Sequence, residues 1–151
     1  LEGVEHAFML SPDCGNQLEI EKNFIDAARE SGVKYLVKYS VVGANPDSPS
    51  RLLRWHGEAE AYLRASGIRY SIVRPSVFMQ NFSMHFVQSI REKKEFRLPF
   101  GEAGCAWVDV RDTARLIAKL LTENGNSDGE LTVTGPESLK GNDIAEIFSE
   151  R

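Results

Sequence analysis

Residues 25–40 read IDAARESGVKYLVKYS, and this stretch decides the fold. Its first half suits a helix. Gly32 then supplies the residue that takes up a left-handed backbone just past a helix end without a steric penalty. Residues 34–40 form a short apolar run rich in Tyr, Leu and Val, the mark of a buried strand. Upstream, residues 4–11 (VEHAFMLS) are a second apolar run. It is stopped by Pro12, Asp13 and Gly15 and leads to a helix over residues 17–31, with Leu18, Phe24, Ile25 and Ala28 near one face. Downstream, residues 41–51 (VVGANPDSPSR) have loop composition. A helix over residues 52–66 follows, with Leu52, Trp55, Ala59, Tyr62 and Leu63 at helical spacing and Gly67 at its close.

The same alternation continues. A strand over residues 69–73 stops at Pro75, and residues 82–94 suit a helix. Residues 96–106, holding Pro99, Gly101 and Gly104, read as loop with a short strand. Asp109 or Asp112 caps a helix reaching residue 122, whose buried stripe is Ala114, Ile117, Leu120 and Leu121. A strand over residues 130–134 precedes a last helix opening at Asn142. Strands separated by helices of this length predict an α/β fold, a parallel sheet with flanking crossover helices.

The 151 residues suit one domain with a sizeable core, and 42% hydrophobic residues exclude a disordered chain. Eighteen Lys and Arg against 22 Asp and Glu give a net charge of −4, which argues against nucleic-acid binding. No apolar run reaches the length of a membrane span, so a membrane partner is not expected. Cys14 and Cys105 lie far apart without CxxC spacing and read as free thiols of a reducing compartment. A cytoplasmic protein is therefore expected. Leu1 stands where a methionine would begin a gene product, and the chain stops at Arg151 inside a predicted helix. Both ends lead us to expect an excerpt or a truncated product.

Five stretches carry a resemblance: GVEHAFMLSP (3–12), IDAARESGVKYLVKYSVVGA (25–44), RWHGEAEAYLRASGIRYSIVRPSVFMQNF (54–82), WVDVRDTARLIAKLL (107–121) and LTVTGPESLKGNDIAEIFS (131–149). In this order they resemble the NmrA-like family of atypical short-chain dehydrogenases, with residues 66–82 the most specific piece. The resemblance implies a Rossmann-like domain over residues 1–151, lacking the family's opening strand, glycine-rich turn and helix. It implies NAD(P) as cofactor, with dinucleotide binding weakened because no GxGxxG or GxxGxxG run is present.

The resemblance also assigns residues. Ser11 and Pro12 would lie near the adenine ribose, and Ser40 near the cofactor. His56, paired with Glu60, would face the nicotinamide region. Pro75, Phe78 and Asn81 would line the nicotinamide and substrate end. Ser40 and His56 are the candidate catalytic residues, Ser11, Pro12, Ser40, Pro75 and Phe78 the candidate cofactor contacts, and Asn81 the candidate substrate contact. No metal site is expected, because the three histidines and two cysteines lack metal-ligand spacing.

The residues also permit plainer roles. Ser40 could satisfy a turn and His56 could sit in an ordinary helical pair. Pro75 could end a strand, Phe78 could pack in the core and Asn81 could cap a helix. On a helix, Glu60 four residues after His56 would hold the imidazole tautomer or raise its pKa. None of Tyr35, Tyr39, Tyr62 and Tyr70 has a Lys four residues on, so the Tyr-x-x-x-Lys proton relay of short-chain dehydrogenases is absent. A quinone or carbonyl reductase is one functional expectation, and a redox-sensing or protein-interaction domain is the other. Lacking the neighbour that a central strand needs, residues 4–11 would leave an open edge. That predicts a homodimer through this strand or its adjacent helix.

Overall fold

The computed structural model describes residues 1–122 and 128–150. In chain order the elements are β1 (His6–Met9), α1 (Gln17–Glu30), β2 (Tyr35–Tyr39), α2 (Arg51–Ala65) and β3 (Arg69–Pro75). A π-helical turn (Phe82–Phe86) then runs into α3 (Val87–Lys93), followed by α4 (Val110–Thr122), β4 (Gly129–Val133) and α5 (Gly141–Ser149). The chain divides into two compact units. The first is Leu1–Arg74 with Ala114–Thr132, and the second is Pro75–Thr113 with Val133–Arg151.

The sheet has the order β1-β2-β3-β4. β1 pairs in parallel with β2, His6 opposite Tyr35, and β2 pairs in parallel with β3, Tyr35 opposite Arg69. The parallel α/β expectation holds. The first strand is shorter than predicted, because only the stretch beside Tyr35–Tyr39 finds a ladder partner.

Gly32 does what its position predicts. It adopts φ +75°, its N–H donates to Arg29 O and the Val33 N–H donates to Ala28 O. This is the paired 5→2 and 6→1 closure of a Schellman motif, with Val33 and Ala28 in one apolar cluster. Gly67, at φ +80°, ends α2 in the same conformation.

Ala7, Met9, Ile25, Ala28, Leu36, Leu63 and Ile72 are among the buried residues of the first unit's core. β2 is buried on both faces, as a strand of a parallel sheet should be. The buried stripe of α1 is Gln17, Glu21, Ile25 and Ala28, and that of α2 is His56, Gly57, Ala59, Glu60 and Leu63. Polar residues thus occupy two of the four positions in the α1 stripe and two of the five in the α2 stripe, where apolar ones were predicted.

The second unit is built differently. Phe78 bridges Val108 in parallel and Cys105 bridges Leu139 in antiparallel fashion; the short strand expected within residues 96–106 is reduced to the single isolated bridge at Cys105. Asp109 caps α4: its Oδ1 accepts the Arg111 N–H at 2.8 Å. The last helix opens one residue before Asn142. Lys140 is its N-cap, and the Asp143 carboxylate accepts the Lys140 N–H at 2.8 Å. Phe82 is the hub of an aromatic cluster, with ring centroids 4.8 Å from Trp107 and 5.2 Å from Phe148.

Candidate functional site

Open α/β sheets present ligands to the loops beyond the carboxyl ends of their strands. In the first unit two serines occupy those positions, Ser11 just past β1 and Ser40 directly after β2. Each hydroxyl donates to a carboxylate on the following helix: Ser11 Oγ to Glu21 Oε1 at 2.7 Å, and Ser40 Oγ to Glu60 Oε1 at 2.5 Å. Each carboxylate also meets a cation from the next strand along. Lys38 on β2 reaches Glu21 Oε2 at 2.5 Å. Arg74 on β3 donates from Nε to Glu60 Oε1 at 2.9 Å and from Nη2 to Glu60 Oε2. Arg64, one turn along α2, adds a 3.1 Å contact to Glu60, and Glu130 of β4 balances both arginines.

Burial makes these arrangements costly to disturb. Lys38 is fully buried and Glu21 and Glu60 nearly so, although a charge leaves water at a penalty of several kcal/mol unless well paired. Burial pushes the Lys38 pKa down, against the opposing charge of Glu21. Burial alone would raise the Glu60 carboxyl. Hydrogen bonds from Arg74 and Ser40, with the charges of Arg74 and Arg64, more than offset it and hold Glu60 below its usual range.

His56 is a further buried polar residue here. Its Nε2 lies 3.1 Å from the Gln17 amide nitrogen, and its Nδ1 is buried with no hydrogen-bond partner among the described residues. Burial and then the Lys38 charge lower its pKa, which keeps the ring neutral. This corrects the expected partnership: Glu60 makes no hydrogen bond to His56, and the upward pull of its charge on the imidazole pKa is outweighed by burial and Lys38. The i, i+4 spacing puts both residues on the buried face of α2. There Glu60 is drawn to Ser40 and Arg74, and His56 to Gln17.

The structure therefore gathers Ser11, Ser40 and His56 into the first unit. Ser40 is 2% exposed and bonded inward, His56 is buried, Ser11 is half-buried and Pro12 is exposed. Pro75, Phe78 and Asn81 belong to the second unit. Pro75 ends β3 and is buried, and Phe78 is half-buried against Val108. Asn81 precedes the π turn, and its side chain does not cap it. Sequence reading overlooked Gln17, Glu21, Lys38 and Arg74. The available signal was Lys38 itself, a lone cation inside the apolar strand YLVKY, which demands a buried partner.

No phosphate cradle stands among the described residues. The turn before α1 carries Asp13 and its first turn carries Glu19, negative charge where a phosphate needs backbone N–H groups and a helix dipole alone. The strand-end hydroxyls donate inward. These residues do not fit the pyrophosphate of a dinucleotide. Burial pushes the Tyr39 phenol up to about 12. No group of three or more His, Cys, Asp and Glu able to hold a metal occurs among the described residues. No helix among them is long and apolar enough to cross a membrane.

The parallel sheet, its glycine-closed helices and its polar strand ends define a Rossmann-type α/β protein. More narrowly, the chain belongs to the NmrA-like family, whose model matches residues 1–151. It is 39% identical over 99% of its length to an NAD(P)H azoreductase of Xenophilus azovorans, covering 52% of that protein. It is 32% identical over 92% of its length to a (4-alkanoyl-5-oxo-2,5-dihydrofuran-3-yl)methyl phosphate reductase of Streptomyces griseus subsp. griseus, covering 49% of it. Among solved structures, an NADPH-dependent quinone oxidoreductase of Escherichia coli complexed with NADPH matches with a TM-score of 0.88 and 25% identity, over 99% of this chain and 52% of that one. The chain thus spans about half the length of the relatives it matches.

Proposed function

We propose that this chain is part of an NAD(P)H-dependent NmrA-like reductase and that, by itself, it grips a dinucleotide weakly. The observation that carries this reading is the inward turn of both strand-end hydroxyls, Ser11 to Glu21 and Ser40 to Glu60, with no phosphate cradle among the described residues. In this reading the loops rooted at Ser11–Pro12 and Ser40 frame the cofactor, Pro75 and Phe78 contact it, and Asn81 faces the substrate. Ser40 assists by fixing the root of its loop through Glu60, and neutral His56 assists by tying α2 to α1. The cofactor supplies the hydride chemistry when bound. The two free thiols, Cys14 and Cys105, support a reducing, cytoplasmic setting.

A non-catalytic redox-sensing or protein-interaction role is the second reading, favoured by the burial of both Ser40 and His56. Calorimetric titration with NADPH, paired with a dye or quinone reduction assay, separates the two. Weak binding by this chain with tight binding and turnover by a longer form supports the reductase. Tight binding by the longer form without turnover supports the sensor. Micromolar binding by this chain alone overturns the weak-grip reading.

We also propose a homodimer through β1, which ends the sheet order and leaves Leu10 60% exposed just past it. Solution scattering checks this, and a monodisperse monomer contradicts it.

A further inference from the structure

The second unit holds a cavity of about 490 Å³, within the range of small-molecule sites. Its lining is almost wholly apolar and includes Phe82, Trp107, Ile144 and Phe148. Two features set it apart from an ordinary gap between helices. Arg91 is the one charged residue in its lining, and no hydrogen bond or ion pair engages Arg91 among the described residues. Trp107 is 97% buried by its 3% exposure, yet its indole Nε1 has no hydrogen-bond partner among the described residues. A neighbouring space of about 510 Å³ shares Ile90, Arg91 and Phe148 and adds Lys94, so the charge at this end is positive.

The geometry points to a binding site for a multi-ring aromatic anion, a carboxylate or sulfonate. Its rings lie against Phe82, Trp107 and Phe148, where offset and edge-on aromatic packing adds to apolar burial. Its anionic group meets the Arg91 guanidinium, whose planar donor fork matches a carboxylate or sulfonate. An uncharged hydrocarbon would satisfy the walls but make no charge-assisted contact with Arg91, which is exposed at the rim, so charge complementarity favours the anion. The site lies within the second unit and does not depend on dinucleotide binding. It stands even if the reductase reading fails.

The chain has two tryptophans, and Trp55 lies on α2 of the first unit. In a W55F background, Trp107 is therefore the only tryptophan. The probe is 8-anilinonaphthalene-1-sulfonate, and the neutral comparison is N-phenyl-1-naphthylamine, which has the same rings without the sulfonate. The sulfonate probe should quench Trp107 saturably. R91Q should weaken it about tenfold, the scale of one charge-assisted contact. R91K should retain most of the affinity, and the neutral probe should bind R91Q and the parent alike. Arg91 is exposed on α3, so its replacement leaves the fold intact. Absence of Trp107 quenching, undiminished sulfonate binding to R91Q, or equal weakening of both probes would each overturn the assignment.

Discussion

The first unit seals its strand ends with buried charge, whereas the second fills its interior with aromatic rings. In the first, Lys38, Glu21, Glu60 and Arg74 each have a fixed partner, and removing one leaves another charge stranded in a poor solvent. In the second, Phe82, Phe96, Trp107 and Phe148 pack ring against ring without ion pairs, and a cavity persists beside Phe82, Trp107 and Phe148. Charge gives the strand-end loops one position, while rings give a surface that accommodates. The loops that frame a cofactor in our reading need the first property. A site for a flat ligand needs the second.

The largest effect should come from breaking a buried pair. K38A leaves Glu21 without its cation and should cost about 3–5 kcal/mol in urea unfolding. K38M combined with E21L should recover most of that loss. K34A removes the same kind of pair, Lys34 with Glu5, at the exposed surface and should leave the unfolding midpoint unchanged.

A smaller effect should come from Gly57. An ideal Cβ there would lie 2.3 Å from the backbone of Asn45 and Pro46, so the β2–α2 loop rests directly on α2. Gly to Ala in a helix ordinarily gains up to about 1 kcal/mol. G57A should instead lose about 1–3 kcal/mol, because backbone must shift. A gain in urea-unfolding stability would show that the loop is not seated there.

The smallest effect is a pH dependence. His56 faces Lys38 and Glu21, with Glu60 and Asp13 also acting on it, and its folded pKa lies below 6.5. The neutral ring is the form the fold favours, so its contribution is fully present above the unfolded pKa. It is lost as pH falls through 6.5 toward the folded value. Unfolding stability should decline between pH 7 and 5, and H56Q should flatten that decline.

Much of the fold was legible. Gly32 and Gly67 mark the helix ends, and the apolar run at residues 35–37 marks a strand buried on both faces. The strand-end site was legible only in part. Ser11, Ser40 and His56 came from a family resemblance, but their bonding partners did not. Apolar periodicity assigns Leu18 and Phe24 to the core of α1 and passes over Gln17 and Glu21, because it treats any polar residue as solvent-facing. Yet 17, 21, 25 and 28 trace one helical face. The partners on that face come from β2 and α2, and pairing across such sequence distances leaves no local trace. The π turn at Phe82–Phe86 also escaped notice, since residues 82–94 read as a continuous helix.

The central claim is that the Ser40 proton is committed to the Glu60 carboxylate, which makes Ser40 a positioning residue. A double-mutant cycle of S40A and E60Q in urea unfolding tests it directly. A charge-assisted hydrogen bond exceeds a neutral one by about 1 kcal/mol, so the cycle should return a coupling of about that size. A coupling of zero, with S40A and E60Q strictly additive, would contradict the account and return Ser40 to the role of a free hydroxyl.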